Sequence, residues 1–180
     1  MELLYSFLFI IIIIGAVGIF YVYEYNKLQH SKTKIDQAEV LIDEALRKRY
    51  DILTKIDTLL INEIDKKSFF KDLDKLKDTN ISNFDLDRKL TEYFNLIDQI
   101  KIDHNELNDS KDLKLFLSEN KKTVEKLNAA KSYYNKYTAE LNDLVRAFPS
   151  NIISRIHGIQ IKSFFDGKNL EDDIVDDFKL

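Results

Sequence analysis

The chain lacks cysteine and tryptophan altogether, and its 180 residues include one proline and four glycines. Without cysteine there is neither a disulfide nor a thiol nucleophile, and the compartment stays open, because a cysteine-free chain suits either side of a membrane. So few chain breakers leave little room for hairpins or tight loops and favour long helices. Histidine is scarce too. His30, His104 and His157 form no H-x-x-x-H or Glu-x-x-His arrangement, so the residue pairs that hold a di-metal centre in a helical bundle are missing. His104 falls on an apolar helical face and reads as a packed core histidine. No G-x-S-x-G, no Gly-rich phosphate loop and no zinc spacing occurs. Carboxylates are plentiful, but Asp36, Glu39, Asp43 and Glu44 take outward helical positions, where acids are ordinarily solvated. The net charge of −4 argues against a nucleic-acid binder, which needs a basic surface. The expectation is a protein that is not an enzyme, with no catalytic residue, cofactor or metal.

What the chain does have is one long apolar run. Leu3 to Tyr23 reads LLYSFLFIIIIIGAVGIFYVY without a charge. At about 1.5 Å per residue, such a run crosses a hydrocarbon core of about 30 Å as one helix. A cleaved signal peptide would carry a basic start and a small-residue site closing a short apolar core. Here Met1-Glu2 has no side-chain cation, and the run continues past Ala16-Val17-Gly18 to Tyr23. A helix apolar on every face is also more than a small helical protein can cover. Tyr21, Tyr23 and Tyr25 cluster where aromatic belts sit. Residues 3–23 are therefore read as a retained transmembrane anchor contacting the lipid bilayer. Lys27, Lys32 and Lys34 follow it and no side-chain cation precedes it, which places the N-terminus outside and the remainder in the cytoplasm.

Beyond the anchor, heptad-like spacing dominates. Leu28, Ile35, Ala38, Ile42, Ala45, Ile52, Ile56 and Leu59 form a seam, with Leu46, Leu53 and Leu60 widening it on one flank. The first helix should run on from the anchor to about Glu63, projecting about 60 Å. Arg49 occupies a seam position. Either its stem lies along the core and its head reaches water, or it makes a buried ion pair with an acid on a facing helix. A shorter helical piece is expected over Lys66–Thr79. A second long helix should span Asp85–Leu107, with Leu86, Leu90, Tyr93, Ile97, Ile100, His104 and Leu107 inward, after a capping pattern at Ser82 and Asp85. A third should run from Lys111 to Phe148, capped by Ser110 and ended by Pro149, with Leu113, Leu117, Val124, Leu127, Tyr134, Leu141, Val145 and Phe148 on its core face. Tyr133, Tyr134 and Tyr137 resemble a binding stripe, but Tyr134 and Tyr137 are more simply core residues with hydroxyls at the rim. A short helix or turn over Asn151–His157 stops at Gly158. Ile159–Phe165 is extended or one loose turn, and residues 166–180 form an acidic tail, disordered or fraying. The whole is all-α: a transmembrane helix 3–23 continuing into an up-down-up bundle of three long antiparallel helices over 24–165.

Several blocks resemble the LemA family. Tyr25-Asn26-Lys27-Leu28 and Ile42–Leu53 (IDEALRKRYDIL) resemble its opening helix. Leu107–Phe116 (LNDSKDLKLF) resembles its second junction, and Lys126–Asn135 (KLNAAKSYYN) its A-R-x-x-Y-N signature, with Lys131 in place of the arginine. Phe148–Ile153 (FPSNII) resembles its F-P-x-N-x-I-A ending. The family's first-helix tryptophan is absent, and Glu63–Phe84 shows no match. The resemblance implies a bacterial, single-pass, membrane-anchored all-α bundle in the cell membrane, with no catalytic residues to carry over. Arg49, Tyr134, Asn135, Phe148 and Pro149 stand as structural or interaction candidates, and Asn26, Asn135 and Asn142 as bridges between helices. The expected function is a membrane-tethered scaffold or adaptor meeting protein partners or further copies of itself. The alternative is a membrane-linked sensor signalling through its first helix.

Overall fold

The computed structural model describes residues 1–64, 69, 70, 73, 75–78 and 81–166. It is helical throughout, with no strand among the described residues. The helices are α1 (Glu2–Glu63), α2 (Lys75–Asp78), α3 (Asn83–Asp103), α4 (Lys111–Arg146) and α5 (Ser150–Ile156), with a 3-10 turn at Asn105–Asp109 between α3 and α4. The chain divides into two compact units, one of Met1–Gln37 with the residues from Tyr133 on, the other of Ala38–Ser132.

α1 is one unbroken helix of 62 residues, as the absence of Gly and Pro between Tyr23 and Glu63 predicts. Its first part is long and apolar enough to cross a membrane, and none of that stretch is buried against the rest of the chain. From Leu28 onward the seam is buried: Leu28, Ile35, Ala38, Ile42, Ile52 and Ile56 are sealed off, and so are the flank residues Leu46, Leu53 and Leu60. Each such leucine or isoleucine contributes about 1.5–3 kcal/mol by leaving water. Leu59 is only half-buried, since a strict seven-residue repeat drifts around a straight helix.

In the second unit α4 runs antiparallel to α1. Ser110, just before α4, hydrogen-bonds Glu63 at the end of α1, and Lys48 pairs with Glu119 further back at 2.9 Å. α3 begins beside the middle of α1, through Arg49 and Asp87, and ends at the turn that meets Glu63. α3 therefore runs in the direction of α1. Phe69 and Leu73, between α1 and α3 in the chain, meet α1 in the opposite order: the Phe69 N–H donates to Asp57 at 3.2 Å, and the Tyr50 hydroxyl donates to the Leu73 carbonyl at 3.2 Å. These two contacts with α1 are additional to the expected order of three long helices. Within the piece expected to be helical over Lys66–Thr79, α2 is the helical part among the described residues; residues 65–68, 71, 72, 74, 79 and 80 lie outside them.

α3 starts where its cap places it. The Asp85 N–H donates to Ser82 Oγ at 3.1 Å, and that hydroxyl donates to the Asp85 carboxylate at 2.7 Å. α3 buries Leu90, Phe94, Ile97 and Ile100; Phe94 takes the inward place expected of Tyr93, which is half-buried with its ring 5.4 Å from Phe70. His104 is not packed in the core. The helix ends at Asp103, leaving the His104 ring half-exposed beside Glu106 at 3.3 Å. Ser110 caps α4, accepting from the Leu113 N–H at 3.5 Å.

The first unit is built on a cluster of Leu28, Ile35, Leu141 and Ile153, with Tyr25, Tyr134, Tyr137, Leu144, Val145 and Ile159 packed against it. The acidic stretch from residue 167 on lies outside the described residues.

Candidate functional site

Arg49 forms the most unusual polar cluster. Its side chain is 3% exposed and pairs with Asp87 of α3. Its Nη2 donates to Thr91 Oγ1 at 3.2 Å and its Nε to Asn120 Oδ1 of α4 at 3.4 Å, and the guanidinium lies 5.4 Å from the centre of the Phe94 ring. Lys131 of α4 reaches the other oxygen of the same carboxylate. Thr91 is held in place by donating to the Asp87 carbonyl at 2.8 Å. Burial lowers the Arg49 pKa from its ordinary value while Asp87 opposes the change, and an arginine stays charged throughout. Of the two readings of Arg49, the buried ion pair is the one the structure adopts. Asp87 escaped sequence reasoning, although a signal was present: it lies on the stripe of Leu90, Phe94 and Ile97, an acid on an apolar face opposite a cation on another.

The other candidates lie in the first unit. Asn142, buried on α4, donates from Nδ2 to the Lys162 carbonyl and accepts the Lys162 N–H at Oδ1, both at 2.8 Å. Seven residues earlier on α4, two helical turns away and on the same face, Asn135 accepts the Phe165 N–H at 2.9 Å. The Tyr134 hydroxyl donates to the Ser163 carbonyl at 3.1 Å, and its ring meets Phe165 edge-on. Two asparagines and a tyrosine thus strap residues 159–165 along α4 by supplying the partners that an unpaired extended backbone needs. Asn135 and Asn142, expected as bridges between helices, instead hold this strap.

Phe148 departs from expectation. It is 79% exposed, because α4 ends at Arg146, before Phe148, and the helical periodicity that placed it inward does not reach it; the Phe148-Pro149 bond is cis. Pro149 stands at the N-cap of α5. The Ser150 hydroxyl lies 2.6 Å from the Leu144 carbonyl and 3.0 Å from that of Ala147, tying α5 to the end of α4. α5 stops at Gly158, whose φ of 63° is the left-handed conformation that favours glycine. Beside it, His157 Nε2 lies 2.6 Å from the Tyr21 hydroxyl, and its ring is 4.4 Å from that of Tyr25.

Among the described residues, no group of three His, Cys, Asp or Glu is placed to hold a metal ion. Two open grooves lie in the second unit, one lined by Lys55, Leu59, Asn62 and Phe116, the other by Lys48, Leu115, Glu119, Lys122 and Lys126. No curated protein and no solved structure matches the chain. The family model described as LemA family matches residues 38–176, a stretch that includes the Arg49–Asp87–Lys131 cluster and the Asn135 and Asn142 strap. By that match over most of its length, the chain belongs to the LemA family.

Proposed function

We propose that this protein is a non-enzymatic, membrane-tethered helical scaffold or adaptor of the LemA type, held in a bacterial cell membrane by residues 3–23 and meeting protein partners or further copies of itself from the cytoplasm. The observation that carries the reading is α1: one helix whose start is apolar on every side and uncovered, and whose continuation is core seam. The buried charges favour a structural part over a catalytic one, since Arg49 and Asp87 satisfy each other. In the second unit, exposed Leu115 beside Lys48, Lys122 and Lys126 offers an apolar contact with a basic rim, the composition of a docking surface for a partner with acidic flanks. Lys27, Lys32 and Lys34 favour the cytoplasmic side. Crosslinking in intact membranes through lysines should recover a partner or an oligomer; recovery of monomer alone, at every crosslinker length, would sink the scaffold reading.

One observation favours a second reading, a membrane-linked sensor or signalling regulator: no break separates the apolar stretch from the seam in α1. Such a device needs an element with two arrangements. If Arg49 is that element, Arg49→Met should alter downstream output in cells. Unchanged output would remove this reading.

A further inference from the structure

Among the described residues of the first unit beyond α1, the large exposed apolar side chains are Phe148, Ile152, Ile156 and Ile161, and all but Ile161 fall on or just before α5. α5 turns Ile153, Ser150 and Ser154 inward, and its other face carries Ile152 at 51% and Ile156 at 65% exposure, one helical turn apart. Phe148, in the turn just before α5, is the most exposed of the three. A cluster of this kind on a small protein ordinarily has something covering it.

Three observations say what covers it. The first is position. His157, the residue after α5, is clasped by Tyr21 and Tyr25, which lie one turn apart on α1 around the end of the apolar run. Burial of α1 begins at Glu24. At 1.5 Å per residue, the end of α5 therefore stands within about one helical turn of the level where the apolar stretch stops. The second is charge. From Leu144 to Phe165 there is no Asp or Glu, while Arg146, Arg155 and Lys162 all fall there, in a chain of net charge −4. The third is composition: a short helix with aliphatic residues outward, an arginine in its last turn and tyrosines alongside is the pattern of elements lying in the headgroup region of a bilayer. Seven residues would bind a membrane weakly alone. Attached to a span, the same contact is intramolecular, and a short apolar face suffices.

We propose that Phe148, Ile152 and Ile156 form a second membrane contact, dipping into the boundary between headgroups and acyl chains at the leaflet where α1 emerges, with Arg155 facing anionic headgroups. This rests on the reading of residues 3–23 as a span. It makes the base of the first unit an interfacial element, fixed to the bilayer at two places.

The absence of cysteine makes the test direct. Single substitutions Ile152→Cys, Ile156→Cys, Ile12→Cys and Lys121→Cys in the full-length protein, each carrying a nitroxide, are reconstituted in vesicles of phosphatidylcholine with phosphatidylglycerol. Collision of the label with oxygen is compared with collision with a water-soluble nickel chelate. Positions 152 and 156 are both exposed, so these substitutions disturb no packing, and two sites guard against one misfolded variant. Positions 152 and 156 should favour oxygen, less strongly than position 12, while position 121 favours the chelate. Raising the phosphatidylglycerol fraction should shift 152 and 156 further towards oxygen. Chelate-favouring labels at 152 and 156 beside an oxygen-favouring label at 12 would overturn the second contact and leave the span standing. A chelate-favouring label at 12 would overturn both. Labels at 152 shielded from both reagents, with spin–spin broadening that grows with protein density, would assign the face to a second copy and overturn the lipid assignment.

Discussion

Asp87 receives two cations that do not depend on it equally. Arg49 is almost fully enclosed, and without Asp87 its remaining partners are the neutral oxygens of Thr91 and Asn120. Asp87 itself keeps Lys131 if Arg49 is lost. Deleting the acid thus strands a buried charge, whereas deleting the arginine does not, and a charge left without its counter-ion costs far more than a pair replaced by apolar bulk. Asp87→Ala should lower stability by about 3 kcal/mol or more, and Arg49→Met should change it by no more than about 1 kcal/mol. Chemical denaturation followed by circular dichroism reads both; equal losses would refute the asymmetry. The exposed pair Lys48–Glu119 should behave differently. Lys48 holds the Glu119 carboxyl below its ordinary value, so any stabilisation it gives is present above the ordinary carboxylate range and lost as the pH falls through the lowered value. Because the pair is solvated, Lys48→Ala should raise the Glu119 titration midpoint in carboxyl NMR and leave the melting temperature where it was. At this scale the sequence was half legible. Arg49 announced itself by standing in a seam, and Asp87 stood on the facing stripe without a rule to match the two. His104 and Phe148 were misjudged for one reason: each lies just past a helix end, where the periodicity that placed it inward no longer applies.

Helices with an uninterrupted repeat were legible as elements. α1 and α4 follow from the spacing of their aliphatic residues and from Ser110 and Pro149 at the ends of α4. α3 was legible in extent but not in rotation, since Leu90-Tyr93-Ile97-Ile100 and Leu90-Phe94-Ile97 both satisfy three-four spacing, and the contacts with Phe70 and Arg49 decide between them. Over Lys66–Thr79 the spacing reads as a helical piece, of which α2 is the helical part among the described residues; that Phe69 and Leu73 meet α1 through a backbone N–H and a tyrosine hydroxyl is something no periodicity shows. The strap over 159–165 was left between extended and turn for the same reason. Its conformation is set by side chains far away in sequence, Asn135 and Asn142. Asn142 is the stronger post, with two hydrogen bonds in a buried place. Asn142→Ala should cost about 1–3 kcal/mol locally by leaving the Lys162 backbone groups without partners. In hydrogen exchange the Lys162 amide should lose its protection while the amides of α3 keep theirs. Unchanged protection at Lys162 would mean that the strap is held by its apolar side chains.

For the molecule as a whole, what matters is which side of a membrane the helices after Tyr23 occupy. Composition alone gives an asymmetry of three lysines against none on the two sides of the apolar run. The structure adds that α1 does not break after that run. An unbroken α1 would carry the residues that follow Tyr23 directly away from a bilayer on one side. The cationic stretch between Leu144 and Phe165 returns in the first unit to the neighbourhood of Tyr21, which adds Arg155 to the lysines at that end of the run. Cations near a span resist translocation, so the orientation with these residues in the cytoplasm is the one to expect. Trypsin added to intact spheroplasts should leave the chain at full length. After lysis, the same protease should cut the chain beyond Tyr23, where lysines and arginines recur. Cleavage in intact spheroplasts, with a cytoplasmic control protein protected, would reverse the orientation and place the Leu115 surface and the face of α5 on the outer side.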